Sequence, residues 1–367
     1  MPADVNPLFR IADRSVHLLR ETQHPAGAWP AAPAFAPYGY SWFRDGAFIA
    51  EGASAAGLHA EAEAFHRWCV AVLVREEPAV DTVVRAVTAG RRLPDDAYLP
   101  ARYRLDGTRQ VDDWWNFQVD GYGTWIWALE RHLARCGAGR PDVAAYADGV
   151  RVAARYLVAT GRRPCRDWWE ENREQTHVTT LAGVAAGLRA AVRLGVLSPA
   201  LAEAATATAD AAVADIRNRG HRDGHLVKWL DGDEVDASLL AVGAVYDVLG
   251  LDDPLLVRTV QEVERRLTTP GGGVHRYEAD TFYGGGQWPV LGCLLAWHHR
   301  RTGDDGRADE LLAWVAGCAD DDGLLPEQVA PRLAPERLAE WLQRWGPGPR
   351  PLVWSHGMLL AALAVTR

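Results

Sequence analysis

The connections between helical segments in this sequence are alternately short and long. Apolar residues recur at helical spacing over most of the chain, and alternating runs of β-branched residues are almost absent. Short links such as 195–198 take turns with long ones such as 77–116 and 319–351. On an all-α chain, six long connections separated by five short ones predict a closed ring of helical hairpins. Such a ring is an (α/α)6 barrel with every long connection at the same end.

The same pattern fixes the expected helices and the domain organisation. Helices are predicted near 7–21, 44–56, 60–76, 117–136, 142–159, 177–194, 199–217, 235–249, 254–267, 287–301, 306–318, 335–344 and 352–365. A solenoid of helical pairs would also alternate its links, but the sequence has no fixed-period repeat. We expect a single catalytic domain over 1–367, in which 1–36 supply an N-terminal helix and the approach to the first long loop.

The charge distribution and the cysteine content indicate which partners and which cellular compartment to expect. The net charge of −9 is spread along the chain, without the basic runs typical of nucleic-acid binders, so no nucleic-acid partner is expected. The first twenty residues lack a secretory apolar stretch, and no run is long enough to span a membrane. The five widely spaced cysteines suit reduced, buried thiols. We expect a cytoplasmic protein that does not bind membranes.

Paired carboxylates beside tryptophan indicate the chemistry. Residues 167–171 read Asp-Trp-Trp-Glu-Glu at an expected loop-to-helix junction. Desolvation by the indoles and repulsion between Glu170 and Glu171 would keep one carboxyl protonated, as a general acid requires. Glu327 is the best candidate for its partner, because two carboxylates in an aromatic setting are typical of glycoside hydrolysis. Taken alone, 167–171 would be better explained as core tryptophans beside a solvated helix start.

Tryptophan placement supports a sugar site. The chain has 16 Trp, and most are expected in or beside the long loops, where exposed indoles on one face suit stacking on sugar rings. These residues are Trp29, Trp42, Trp114, Trp115, Trp168, Trp169, Trp229, Trp288, Trp345 and Trp354.

Other polar clusters fall in the same loops. Arg44 and Asp45 could grip vicinal hydroxyls, although a salt-bridged helix start explains them equally well. Segment 112–123 is dense in Asp, Asn and Gln, segment 275–289 is rich in glycine and aromatic residues, and 351–357 follows Glu327 in the last long loop. The 12 His form no zinc-type motif, and there is no nucleophile elbow or phosphate loop. We therefore expect neither a metal nor a cofactor.

At these clusters the chain resembles glycoside hydrolase family 15, the glucoamylase family. The matching blocks run from about Pro37 to the C-terminus in the family's order. They are Tyr38 to Asp45, Asn116 to Gly123, Asp167 to Glu171, Arg276 to Trp288, Gly323 to Gln328 and Leu352 to Ser355.

The resemblance implies an (α/α)6 barrel and exo-hydrolysis of α-glucosides with inversion. It implies Glu170 as the general acid, Glu327 as the general base and Glu171 as a substrate-binding neighbour. It further implies a pocket for the terminal glucose, lined by Arg44, Asp45, Arg276 and Trp354. Tyr38 is expected to support the base and its water. Further substrate contacts are expected from Tyr40, Trp42, Trp115, Gln118, Trp169 and Phe282.

Two departures from the family pattern refine the expectation. The chain shows neither the N-terminal β-sandwich of many bacterial members nor a starch-binding module, which argues against polymeric starch. Phe282 stands where many members have tyrosine, so a hydroxyl partner for Tyr38 would be missing. The short form is most similar to the isomaltose glucohydrolase branch of the family.

The predicted function is an inverting exo-α-glucosidase that releases β-glucose from short α-1,6-linked glucosides. Hydrolysis of trehalose or of maltose is the alternative within the class, since only the aglycone site would differ. A non-catalytic glucan sensor is the alternative from another class, and the presence of both Glu170 and Glu327 argues against it. A helical-barrel polysaccharide lyase would favour a more basic cleft with Tyr, His and Arg.

Overall fold

The computed structural model describes residues 7–110, 112, 114, 117–137 and 139–365, and its described part is predominantly helical with few strands. The α-helices are α1 (Pro7–Thr22), α2 (Phe43–Ala55), α3 (His59–Thr88), α4 (Asp120–Arg135), α5 (Arg140–Ala144), α6 (Ala147–Thr160), α7 (Val178–Arg193), α8 (Pro199–Arg219), α9 (Ala241–Ala244), α10 (Pro254–Leu267), α11 (Pro289–Thr302), α12 (Asp305–Gly317), α13 (Leu338–Trp345) and α14 (Val353–Leu363).

Six helices form a closed inner ring. They are α2, α4, α7, α9, α11 and α14. Each helix packs on the next in this order, and α14 packs on α2. Helices α1, α3, α6, α8, α10 and α12 lie outside this ring. The predicted (α/α)6 barrel is therefore confirmed, with α5 and α13 as additions in the connections.

Burial distinguishes the inner helices from the outer ones. Helix α2 buries every residue from Phe43 to Ser54, as a helix surrounded by others must. Glycines allow the inner backbones to approach closely. A Cβ on Gly52 would lie 2.0 Å from the carbonyl oxygen of Gly357, and one on Gly187 would lie 2.4 Å from the Cα of Gly123. The inner ring is therefore held by close helix contacts.

Three predicted helices differ in extent. Helix α3 continues through Pro78 to Thr88, because burial of Val80 and Val83 outweighs the one backbone hydrogen bond that proline removes. The segment predicted as 235–249 is only a 3-10 turn, Ala237–Leu240, followed by α9. The segment predicted as 142–159 is split into α5 and α6.

The long connections meet at one end of the barrel. Strand β1 (Ser41–Trp42) pairs antiparallel with β2 (Arg102–Tyr103) and joins the first two long connections. A second small hairpin joins β3 (His221–Arg222) to β4 (His225–Leu226). Each inner helix begins after a long connection, so all six begin at this end. Among the described residues, no helix has both the length and the apolar character needed to cross a membrane.

Candidate active site

A cavity of about 400 Å³ opens where the inner helices begin. Eleven residues expected from the sequence line it: Tyr38, Trp42, Arg44, Asp45, Trp169, Glu170, Glu171, Arg276, Phe282, Glu327 and Trp354. The other lining residues are Ala31, Trp114, Arg166, Trp168, Asn172, Trp288, Trp341, Arg344, Trp345 and Leu352.

Two expected substrate contacts lie outside the cavity wall. The ring of Tyr40 packs beneath the Arg102 guanidinium, 4.1 Å from it, and Tyr40 does not line the cavity. Gln118 lies behind the cavity, where its side-chain amide donates to the carbonyl of Asp167. Trp115 falls outside the described residues. A direct contact of Tyr40 or Gln118 with substrate is therefore not supported by this geometry.

Glu170 lies in a tight turn and not at the start of a helix as the sequence suggested. The backbone N–H of Glu170 donates to the Asp167 carbonyl at 3.0 Å. The Asp167 Oδ1 atom accepts from the N–H groups of Trp169 (2.9 Å) and Glu171 (2.8 Å). Glu170 has φ = 64°, in the left-handed region that only a well-supported turn imposes on a residue with a Cβ. The Asp167 side chain thus fixes the residue that carries the expected acid.

Two indoles hold the Glu170 carboxyl group. Trp42 Nε1 donates to Oε1 at 2.5 Å, and Trp114 Nε1 donates to Oε2 at 2.6 Å. The expected indole neighbours pack elsewhere, with Trp168 against Phe48 and Trp354. The sequence places Trp114 among the loop tryptophans, but nothing in its local pattern indicates that its indole contacts the acid.

Burial raises the pKa of Glu170, as expected. The Arg44 charge and the two indole donors oppose that rise. Glu171 is not among the main causes of this shift, and its carboxylate is paired with other groups. Tyr277 Oη donates to it at 2.6 Å, and Arg276 Nη2 lies 3.4 Å from it.

Glu327 is buried at the final long connection, with 2% of its surface exposed. Burial raises the pKa of Glu327 to about 8, against the opposing effects of Arg276 and of hydrogen bonds from Tyr38 and Gln328. Residue 282 offers Tyr38 no hydroxyl, as expected from the sequence, and the phenol is instead hydrogen-bonded to Glu327. Phe282 instead packs its ring against Trp288 and Trp345 in the cavity wall.

Two arginines are fixed inside the cavity by carboxylates. Arg44 Nε donates to Asp45 at 3.2 Å and Nη1 to Asp120 at 3.4 Å. Burial raises the pKa of Asp45 to about 6, although the Arg44 charge opposes this. Arg276 is held by both oxygens of Asp280. Arginines fixed in this way present their remaining N–H groups in set directions, which suits recognition of hydroxyl oxygens.

Lys228 is a supporting residue that sequence reasoning missed. It is 3% exposed along its side chain, and its Nζ lies 3.5 Å from Asp167, 3.8 Å from Glu171 and 3.4 Å from Asp236. These carboxylates raise its pKa despite burial. Its flanking sequence, Val227-Lys228-Trp229, carried no motif, so only the folded arrangement identifies it.

The cavity retains polar groups that are unpaired within the described residues. The indole nitrogens of Trp168, Trp288 and Trp354 and the Oε2 atom of Glu327 have no hydrogen-bond partner there. Buried polar atoms are nearly always paired, so a wall with four such groups suits a ligand rich in hydroxyls. The lining residues among the described part include neither His nor Cys, which are the usual transition-metal ligands.

Aromatic residues form the outer wall of the cavity. Helix α13 brings Trp341, Arg344 and Trp345 to it, and Trp345 stacks on Trp114 with centroids 5.9 Å apart. The expected face of exposed indoles is therefore wrong in part. Trp42, Trp168, Trp169, Trp288 and Trp354 are buried in the cavity wall, and Trp29 is a core residue that donates to the Leu19 carbonyl.

Comparison with known proteins agrees with this geometry. Residues 12–297 match the family model described as glycosyl hydrolases family 15. An isomaltose glucohydrolase from Kribbella flavida is 43% identical to this chain over 356 residues, which cover 96% of this chain and 91% of that protein.

Solved structures show the same likeness. A glycosidase, and a variant of it in complex with glucose, superpose with a TM-score of 0.93 at 42% identity, covering 97% of this chain and 96% of theirs. A bacterial glucoamylase in complex with acarbose superposes with a TM-score of 0.76 at 18% identity, covering 96% of this chain and 55% of that one. The second similarity concerns the fold alone.

Proposed function

Since this chain belongs to glycosyl hydrolases family 15, we propose that it is an inverting exo-α-glucosidase. It releases β-glucose from the non-reducing end of short α-glucosides, above all α-1,6-linked ones such as isomaltose. Two buried glutamates that share one cavity, Glu170 and Glu327, support this function most strongly. The similarity over nearly the whole chain to an isomaltose glucohydrolase supports the choice of linkage.

Glu170 is the general acid in this proposal. It must be protonated when substrate binds, and burial raises its pKa in that direction. It transfers its proton to the glycosidic oxygen as the C1–O bond breaks. The Trp42 and Trp114 N–H groups then stabilise the carboxylate that remains. The same two donors thus assist departure of the proton in the transition state.

Glu327 is the general base. Its ionised form takes a proton from a water molecule, whose oxygen attacks C1 on the face opposite the leaving group. Tyr38, Gln328 and Arg276 favour the ionised form against the effect of burial. Inversion requires room for that water, so we expect the two carboxyl groups to be roughly 6.5–9.5 Å apart.

Arg44, Asp45 and Arg276 recognise the terminal glucose through its hydroxyl groups, and the unpaired indole N–H groups add further donors. The cavity volume of about 400 Å³ is near the lower end for ligand sites, about 300–1,000 Å³, which favours short substrates.

We also propose that the chain acts as one domain in the cytoplasm on a small oligosaccharide, without nucleic acid. Its five free thiols and net charge of −9 agree with that setting.

One screen tests the reaction and its stereochemistry. Glucose release is measured from isomaltose, maltose, trehalose and soluble starch, and proton NMR follows the first turnovers on the best substrate. We expect isomaltose to be preferred and β-glucose to appear before mutarotation. Initial α-glucose would mean that Glu327 is a nucleophile. Preference for trehalose or maltose would keep the mechanism and change the substrate.

Variants distinguish an enzyme from a sensor that only binds glucans. Glu327→Gln and Glu170→Gln should each abolish isomaltose hydrolysis while glucose still binds. Glu174→Gln changes an exposed glutamate of the same loop as Glu170, and its activity should be unchanged. Wild-type protein that binds isomaltose without releasing glucose would support the sensor.

A further inference from the structure

A second cluster of possible ligand side chains lies at the opposite end of the barrel. His59 opens α3, His132 lies in the last turn of α4, and Cys136 immediately follows that helix. One donor atom from each of these side chains lies within 4.8 Å of the others. Helix α4 begins at Asp120 beside the cavity, so its 16 residues separate this cluster from the active site by about 24 Å.

His66 provides an independent indication. It lies two turns after His59 on the same face of α3, and its ring centroid is 5.2 Å from that of His132. The residue is 0% exposed, and neither of its ring nitrogens has a hydrogen-bond partner among the described residues. Leaving a buried polar group unpaired destabilises the folded state. A buried, unpaired imidazole against a His/Cys cluster is therefore better explained by a ligand site than by packing.

The charged surroundings tolerate a cation. Arg135 places a positive charge near His132, and Glu51 accepts hydrogen bonds from both Arg135 and Arg131. Glu63 adds a negative charge that lowers the repulsion between Arg135 and a bound cation, although Arg67 donates a hydrogen bond to Glu63.

We propose that His59, His132 and Cys136 bind Zn²⁺ or a similar borderline divalent transition metal. Nitrogen and sulfur donors suit zinc, whereas Mg²⁺ and Ca²⁺ prefer oxygen. Binding displaces the proton of the Cys136 thiol to solvent, and His66 is the nearest further donor on the buried side. The ion ties the first turn of α3 to the last turn of α4. Sequence motifs could not find this site, because its ligands come from two helices far apart in the chain.

Metal binding to the whole protein tests the proposal. Purified, reduced protein is titrated with Zn²⁺ by calorimetry and with Co²⁺ by absorption. We expect one ion per chain and a thiolate-to-cobalt charge-transfer band. Cys136→Ser should remove the band and, like His59→Ala, weaken Zn²⁺ binding by about 10-fold or more.

Two changes outside the cluster serve as matched controls. Cys318→Ser alters a half-buried thiol at the end of α12, and His17→Ala alters an exposed histidine of α1. Both should leave the affinity unchanged. The proposal is overturned if Zn²⁺ shows no saturable binding, or if Cys136→Ser and His59→Ala bind like wild type. Thermal unfolding of each variant verifies that it is folded.

Discussion

At the scale of single residues, Glu327 is held in an environment that opposes its ionisation. Burial raises its pKa to about 8, while Tyr38 and Arg276 lower it. A general base must be ionised to act. The acidic limb of the pH profile of kcat/KM should therefore lie well above the ordinary pKa of a glutamate. The sequence identified this residue from its motif. It could not indicate the pKa, because the residues that set it come from three separate loops.

The hydrogen bond from Tyr38 should be visible in the pH profile. Tyr38→Phe removes a donor that favours the ionised form of Glu327, so the acidic limb of kcat/KM should move to higher pH. The profile is measured on isomaltose. Tyr146→Phe removes a phenol at the start of α6, remote from the cavity, and should leave the limb in place. A limb unmoved in Tyr38→Phe would mean that the phenol does not act on Glu327.

The same pKa makes a prediction about stability. Because the folded-state pKa of Glu327 is raised from 4.5 to about 8, the folded protein holds a proton that the unfolded chain releases. Its contribution to the free energy of unfolding therefore falls as pH rises from about 4.5 to 8.

Glu327→Gln should remove that fall. The variant should gain stability over wild type between pH 5 and pH 8 by more than about 1.4 kcal/mol, the equivalent of one pKa unit. Denaturant unfolding at the two pH values measures the gain. Glu174→Gln should show no such trend, and an equal difference at both pH values would contradict the prediction.

At the scale of structural elements, the turn at 167–171 departs most from the sequence prediction. Two adjacent glutamates after polar and aromatic residues are typical of a helix start. The turn forms because the Asp167 carboxylate accepts two backbone N–H groups within it and Lys228 lies beside that carboxylate. Local propensity could not predict this, since Lys228 is distant in sequence.

Helix α13 is the element expected to set substrate length. None of its residues is buried, yet Trp341 and Trp345 form one wall of the cavity. Trp345→Ala should lower kcat/KM on isomaltose by about 5- to 10-fold, as loss of one aromatic contact implies. It should also reduce the preference for isomaltose over isomaltopentaose, because the wall is opened.

The ratio of kcat/KM on the two substrates measures the effect of α13. Leu342→Ala removes an exposed apolar side chain from the same helix and should leave that ratio unchanged. A ratio that is equally unchanged in Trp345→Ala would mean that α13 does not discriminate by length.

At the scale of the whole molecule, the common direction of the inner helices matters for the chemistry. The N-terminal end of a helix carries partial positive charge, and the inner helices begin at the end of the barrel where the cavity contains four carboxylates. Alternating link lengths were sufficient to predict this ring. They could not predict that Trp42 and Trp114 would hold Glu170, because contacts between separate loops depend on their folded paths.

The closed ring also joins the first helix to the last. Ser15 of α1 contacts His356 of α14 at 2.8 Å, and from that contact each helix runs about 10–12 Å to the end remote from the cavity. A short linker could therefore connect the end of α14 to the start of α1. New chain termini could then be placed in a short connection such as 195–198. Such a circular permutant should fold and hydrolyse isomaltose, whereas one opened at 281–286 should lose activity. The barrel should therefore form wherever along the chain the new termini are placed. Its activity should depend on whether those termini lie at the cavity end of the barrel or at the opposite end.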